Sequence, residues 1–308
     1  MVMKNKTPLV SVYVITYNSS KYVIETLESI KNQTYSNIEL IVSDDYSTDN
    51  TIQICSEWIT KNSAYFKRVE LLTVEKNTGI AANCNRAEAA CQGEWAKGIA
   101  GDDLLMPNCV TDCIEYINEH QDTIVLFGKL KPFGGDSDLL KRVENNYDYN
   151  FLNKVSSEQL HYLLFVRNCL PAPTLFINVR YLKSIGLVND ERISSMEDYP
   201  KWINMIRNGI KFHFIDKYLV QYRVGDGLST RSRPSLSYFK SQRLFRFYYQ
   251  YPSWVERDLD DAVMTIVDEE CKLYEELLRA RSSYAYRIGN FILMPIKFGK
   301  ALISKIKK

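Results

Sequence analysis

Histidine is almost absent, with three in 308 residues. Seven cysteines (Cys55, Cys84, Cys91, Cys109, Cys113, Cys169 and Cys271) make an odd set in which none forms a Cys-x-x-Cys. A zinc centre therefore lacks ligands, and the cysteines read as reduced packing residues, Cys109 and Cys113 at helical spacing included. Glycine is scarce at 13 residues, and neither G-x-G-x-x-G nor G-x-x-x-x-G-K-S/T occurs, which removes dehydrogenase and P-loop readings. No run of about 18 apolar residues appears, and the polar opening Met1 to Pro8 lacks the charged-then-apolar layout of a signal. A cytoplasmic location is the expectation. The net charge of +2 gives no reason to expect nucleic acid. Aromatics are plentiful, with 21 Tyr and 13 Phe, and most of them read as packing.

What is present alternates between two patterns. Leu9 to Thr16 is β-branched and apolar, like a buried parallel strand. Lys21 to Gln33 follows with Val23, Ile24, Leu27 and Ile30 on one helical face, and Ser19 or Ser20 as cap. A second strand is expected over Ile38 to Ser43. A helix capped at Thr48 comes next, carrying Ile52, Ile54, Cys55 and Trp58. Val69 to Val74, Trp95 to Ala100 and Ile124 to Phe127 read as further strands, with helices at Ala81 to Cys91 and Cys109 to Glu119. This alternation implies an α/β protein with a mainly parallel sheet over roughly the first 130 residues. The remainder is expected to hold a loop at Gly134 to Asp138 and a partly helical stretch over 139–165. A strand over Ala172 to Asn178 and a helix over Glu197 to Asn208 follow. Short strands at Phe212 to Ile215 and Leu219 to Arg223 precede helix from Tyr238 onward.

Open parallel sheets bind ligands beyond the carboxyl ends of their strands. Thr16-Tyr17-Asn18, Asp44-Asp45 and Asp102-Asp103 all fall at such ends. Adjacent carboxylates repel, so a pair at a sheet edge invites a cation. Asp102-Asp103 offers hard oxygens suited to Mg²⁺ or Mn²⁺ holding a diphosphate, and it equally suits a plain Gly-Asp-Asp turn. Asp45 can accept from a base N–H or ribose hydroxyl, or cap the next helix beside Ser47-Thr48-Asp49. Asn77-Thr78-Gly79 offers a turn near the same crevice, and Arg86 on the next helix could face phosphates or solvent. Glu197-Asp198 could remove a proton from an acceptor hydroxyl, or could sit at a helix start facing its dipole, with Pro200 in the first turn.

The ordered set resembles the inverting family 2 glycosyltransferases, which have the glycosyltransferase A fold. The resemblance rests on Val10 to Asn18, Ser29 to Tyr35, Glu39 to Asp49, Asn77-Thr78-Gly79, Gly93-Glu94-Trp95, Gly101-Asp102-Asp103 and Glu197-Asp198, and covers about residues 8 to 230. It implies a catalytic domain over 1–230, with a nucleotide-binding half at 1–130 and an acceptor half at 131–230. A helical region, 231–308, would follow. It further implies that Thr16, Tyr17 and Asn18 line the nucleotide pocket, that Asp45 contacts the nucleobase (most often uracil in relatives), and that Asp102 touches the ribose. Asp103 would bind the Mn²⁺ or Mg²⁺ that holds the diphosphate, and Asp198 would be the general base. The reaction implied is transfer of a sugar from a nucleotide-sugar donor, UDP favoured, to a hydroxyl of a glycan or lipid-linked acceptor, in bacterial surface-polysaccharide synthesis. Two departures stand out. Ala100 occupies the first position of the family's D-x-D, and no histidine occurs in Tyr222 to Gly227, where Asp226 is the substitute candidate.

Residues 287 to 308 interleave Arg287, Lys297, Lys300, Lys305, Lys307 and Lys308 with apolar residues and carry no acid. The pattern suits a basic amphipathic segment on an anionic membrane, kinked at Pro295, so peripheral contact with the cytoplasmic face is expected. A helix packed on the catalytic domain or on a dimer partner is the competing reading. Residues 231 to 286 suit either an acceptor site or a homodimer contact. A nucleotidyltransferase would need a glycine-rich phosphate loop where Thr16 to Ser20 stands, and a glycosidase leaves the nucleotide-site motifs unexplained. The remaining alternative is a catalytically silent relative that binds a nucleotide sugar or scaffolds a complex.

Overall fold

The computed structural model describes residues 7–225, 235–250 and 260–282. Strand β1 (Val10–Thr16) is buried on both faces, the condition for a continuous apolar run at the middle of a parallel sheet. It pairs in parallel with β2 (Ile38–Asp44) on one side, Val10 opposite Ile38. Between them runs α1 (Val23–Lys31), which buries Val23, Thr26, Leu27 and Ile30. Ile24, expected on that face, is 41% exposed, because one residue of helix turns it ~100° away. Neither Ser19 nor Ser20 caps α1 through its hydroxyl. Tyr22 holds the cap position, and the Ser19 carbonyl accepts from the Tyr22 and Val23 N–H groups.

Helix α2 (Thr51–Asn62) starts three residues beyond the expected Thr48 cap. Asn50 holds the cap position, the Asp49 carboxylate accepts from the Thr51 N–H, and the Thr48 N–H donates to Asn18. Strand β3 (Val69–Leu72) joins β2 at the edge. Helix α3 (Ile80–Ala90) leads into β4 (Trp95–Ala100), which lies parallel to β1 on its other side. Gly93 makes this return possible: a Cβ there would lie 2.7 Å from the Leu9 carbonyl oxygen, and its N–H donates to the buried Glu39 carboxylate at 2.9 Å.

After β5 (Leu104–Leu105) and α4 (Cys109–Glu119) the sheet becomes mixed. Strand β6 (Val125–Phe133) leads to three helices, α5 (Ser137–Glu144), α6 (Tyr149–Leu152) and α7 (Ser157–Val166). The loop expected at Gly134 to Asp138 is short, because the Asp136 carboxylate caps α5. The strand expected over Ala172 to Asn178 shrinks to β7 (Phe176–Ile177), since the segment holding Pro173 forms a 3-10 turn at Ala172–Thr174. Then come α8 (Val179–Ser184), α9 (Asp198–Arg207) and β8 (Phe212–Arg223). The two short strands expected there are one strand, and the register jump against β6 between Phe127/Phe214 and Lys129/Tyr218 is the irregularity separating its apolar halves. The strand order is β3-β2-β1-β4-β7-β6-β8-β5, with β7 antiparallel to β4 and β6, and β5 antiparallel to β8. All seven cysteines are free and buried.

The chain divides into two compact units, Met1–Pro234 and Ser235–Lys308. In the second, α10 (Leu236–Phe245) continues as a π-helical turn (Arg246–Gln250), and α11 (Asp260–Ser282) packs against α10. Phe239 stacks on Tyr274 with centroids 4.2 Å apart, and Lys240 pairs with Asp268 at 2.6 Å. Among the described residues no helix is long and apolar enough to cross a membrane. The basic tail at 287–308, and Asp226, lie outside the described residues.

Candidate active site

The site begins where β1, β2 and β4 end. Thr16 is buried, and its hydroxyl donates to Asp44 at 2.7 Å. Asp44 in turn accepts from the Ser47 N–H at 2.7 Å, so this first carboxylate of its pair shapes the loop. Asn18 and Tyr46 both lie in the left-handed region, at φ 53° and 68°. That conformation is uncommon outside glycine and concentrates where surrounding structure over-determines it. Here the cause is visible: the Asn18 N–H donates to Ser47 Oγ, and its side-chain oxygen accepts from the Thr48 N–H, both at 2.8 Å. The two loops are thereby stitched into one rim, from which Tyr17 projects, 52% exposed.

Asp45 is only 3% exposed. Its carboxylate accepts from the Thr78 N–H at 3.1 Å and hydroxyl at 2.5 Å, and from the Gly79 N–H at 2.8 Å. Asn77 donates to the Asp45 carbonyl at 3.1 Å, completing the fold of the Asn77-Thr78-Gly79 turn around the end of β2. Gly79 caps α3 at φ 89°, and a Cβ there would lie 3.0 Å from the Ser194 side chain. The turn is thus both held by Asp45 and overlain by the segment leading into α9. Arg86 departs from the expectation that it faces phosphates or solvent. Its guanidinium turns inward, to Ser43 Oγ at 3.0 Å and Asp45 at 3.2 Å at the end of β2, and to Asn83 Oδ1 at 2.8 Å on its own helix.

Gly101 joins the rim to β4: a Cβ there would be 2.9 Å from the Thr16 methyl and 3.0 Å from Ser19 Oγ. Asp102 and Asp103 follow. Asp103 is 2% exposed and accepts from the Arg223 N–H at 2.7 Å, while the Arg223 Nε donates to the Asp102 carbonyl at 2.8 Å. The Arg223 guanidinium is itself clamped by the Tyr22 ring (4.0 Å to its centroid), the Phe133 ring (4.4 Å) and Glu25 (2.7 Å). Burial, then the Asp102 charge, pushes the Asp103 carboxyl well above the usual aspartate range; burial also raises Asp102. Two adjacent carboxylates, Asp103 buried and Asp102 half-buried, the second opposing ionisation of the first, fit a divalent cation. Among the described residues no cluster of three or more His, Cys, Asp or Glu completes a coordination shell. That donor set suits Mg²⁺ or Mn²⁺, which take one or two carboxylates and complete their shell with water and substrate phosphate.

The second carboxylate pair opens α9. Asp198 accepts from the Asn168 side-chain amide and from the Tyr199 N–H, each at 2.7 Å. Burial raises its pKa, and burial together with the Asp198 charge carries Glu197 up to about 8. The half-buried Tyr147 lies near Asp198: its pKa is raised by burial first, then by Tyr222 and Asp198. Asn168 and Arg223 were not identifiable from sequence as site residues. Arg223 lies within the Tyr222 to Gly227 stretch singled out for its lack of histidine, and Asn168 has no local signal.

The Glycosyl transferase family 2 model matches residues 11–170. An uncharacterized glycosyltransferase of Methanocaldococcus jannaschii is 27% identical over 256 residues, 82% of each chain. Among solved structures, S. aureus TarS 1-349 in complex with UDP-GlcNAc superposes with a TM-score of 0.59 at 24% identity, over 76% of this chain and 64% of that one. Mannosyltransferase PcManGT from Pyrobaculum calidifontis, in complex with GDP-Man and Mn²⁺, gives a TM-score of 0.58 at 14% identity, over 96% and 80%. At these identities the two structures speak to the fold, a glycosyltransferase A fold.

Proposed function

The chain belongs to glycosyl transferase family 2 and is a glycosyltransferase, and from that premise we propose that it transfers a sugar from a nucleotide-sugar donor to a hydroxyl with inversion at the anomeric carbon. The observation that carries this reading is the placement of two carboxylate pairs, Asp102-Asp103 at the end of β4 and Glu197-Asp198 at the start of α9, whose leading segment overlies the turn at the end of β2. In one pair the Asp102 charge opposes ionisation of Asp103, and in the other a neutral amide holds Asp198. In this reading Tyr17 offers its exposed ring to the base, and Thr16 and Asn18 set the floor and rim of that pocket. Asp45, with Arg86 as its strut and the Asn77-Thr78-Gly79 turn as its partner, forms the wall that reads the base edge. Asp102 serves the ribose. Asp103, with Asp102, would hold Mn²⁺ or Mg²⁺, which when bound neutralises charge on the departing diphosphate. The structural likeness to chains holding UDP-GlcNAc and GDP-Man supports a nucleotide-sugar donor, and UDP is the favoured nucleotide.

Asp198 then takes the proton of the acceptor hydroxyl as that oxygen bonds to the anomeric carbon. The bond from that carbon to the phosphate oxygen breaks, and its electron pair leaves with the nucleotide diphosphate. Residues 1–130 supply the donor side and 131–230 the acceptor side. A glycan or lipid-linked acceptor of surface-polysaccharide synthesis suits the basic tail at 287–308, which would meet an anionic membrane.

The stereochemical outcome tests the mechanism. With α-linked UDP-, GDP- and dTDP-sugars and water as acceptor, proton NMR of the first-formed sugar should show the β-anomer. First release of the α-anomer would contradict a single displacement.

A further inference from the structure

Beneath the first turn of α9 lies a buried polar network that the reaction described above does not use. Lys201, 2% exposed, donates to Glu88 Oε1 at 2.5 Å. The Tyr13 hydroxyl donates to the same oxygen at 2.8 Å. The three residues come from α9, α3 and β1, so one carboxylate oxygen ties the helix bearing Glu197 and Asp198 to the central strand of the sheet. Room for the phenol is made by Gly98 on the neighbouring strand, where a Cβ would fall 2.4 Å from Tyr13 Cζ. Lys201 stands four residues after Glu197 and three after Asp198, on the same side of α9. Buried ion pairs rarely add net stability, so a fully enclosed one next to a pair of acids calls for another role.

We propose that Tyr13, Glu88 and Lys201 are positioning residues for the Glu197–Asp198 pair: they fix the first turn of α9 against the sheet and set the local charge, so that the pair carries one proton, on Glu197, and Asp198 is left as the anion. This rests on the reading of Asp198 as the base. The groups that face Glu197 are Asp198 and Lys201 on its own helix and Glu88 and Cys84 on α3. Asp198 and Glu88 oppose its ionisation and Lys201 favours it. A neutral Glu197 spares Asp198 a like charge beside it, while the ammonium of Lys201, held by Glu88, keeps a second anion from becoming prohibitively costly.

The test follows the Glu197 carboxyl directly, by carbon NMR of glutamate-labelled full-length protein, with the signal assigned by Glu197→Gln. The wild-type midpoint is expected near 8. Glu88→Gln keeps the Tyr13 contact and leaves Lys201 facing the acids alone, so the midpoint should fall. Adding Lys201→Met to that variant removes the ammonium and should raise the midpoint above the Glu88→Gln value by about one pH unit. A purely structural pair would move thermal stability and leave both midpoints where they were, and that result in folded variants overturns the proposal. If the double variant does not fold, the direction of the Glu88→Gln shift decides. The readout uses no turnover. Loss of the base assignment would appear separately, as full transfer by Asp198→Asn.

Discussion

Asp198→Asn is expected to bind the nucleotide-sugar donor with unchanged affinity and to lose transfer by ~10²–10⁴-fold, the usual worth of a positioned base. The geometry argues that the loss is chemical and not structural. The replacement keeps an oxygen to accept from the Asn168 amide and from the Tyr199 N–H. It also removes the charge that opposes ionisation of the half-buried Glu197. Thermal stability should therefore hold or rise while activity falls, as expected where a site is built against the preference of its own residues. The pH dependence has a definite sign. Burial raises the Asp198 pKa, and a base acts only when ionised, so transfer should fall as pH drops through that raised value, above the ordinary aspartate range. Calorimetric donor binding and a kcat profile against pH check this, and wild-type turnover by Asp198→Asn would remove the residue from the role.

The second large effect concerns Asp103. Asp103→Asn, or an excess of EDTA over the wild-type protein, should reduce transfer by at least ~10²-fold, since a bound divalent ion supplies several kcal/mol of charge stabilisation to a leaving diphosphate. The stability of the metal-free protein should move the other way. The folded-state pKa of Asp103 is raised by burial and by Asp102, so the stability tied to this carboxyl is fully present below the unfolded aspartate pKa and is lost as pH rises through the raised folded value. Asp103→Asn keeps the Arg223 N–H satisfied through the amide oxygen and removes that penalty. At neutral pH the variant should melt no lower than the metal-free wild type, yet gain nothing from Mn²⁺. Melting curves with and without Mn²⁺, alongside turnover in EDTA, check both halves. Full turnover in excess EDTA would remove the metal from the mechanism.

The parts of this fold that were legible in sequence share one property: their pattern is local. Strands β1 and β2 are buried on both faces and so read as apolar runs, and their ends locate Thr16, Asp45 and, on β4, Asp102 without any tertiary knowledge. The Asn77-Thr78-Gly79 turn was legible because glycine marks a backbone at φ 89°. What was not legible depends on contacts between distant segments. For Arg86 the sequence leaves phosphates and solvent equally open, because helix periodicity cannot say where a long side chain finds acceptors, and two of those acceptors lie at the end of β2, some 40 residues away. The Tyr13–Glu88 and Lys201–Glu88 contacts span 75 and 113 residues. Without the sheet, Lys201 looks like any helix-surface lysine. Strand β8 reads as two strands because its middle, Asp216 to Tyr218, is exposed and polar enough to resemble a turn.

The most direct test of nucleotide-sugar binding at these strand ends is thermal stability against a panel of UDP-, GDP- and dTDP-sugars, each with and without Mn²⁺. A donor at a hundredfold excess over its Kd stabilises by about 2.7 kcal/mol, enough to move a melting curve by several degrees. The account predicts a Mn²⁺-dependent rise with one nucleotide, UDP foremost, that is lost in Asp103→Asn. A folded protein whose melting temperature moves with no donor, with or without metal, would contradict it.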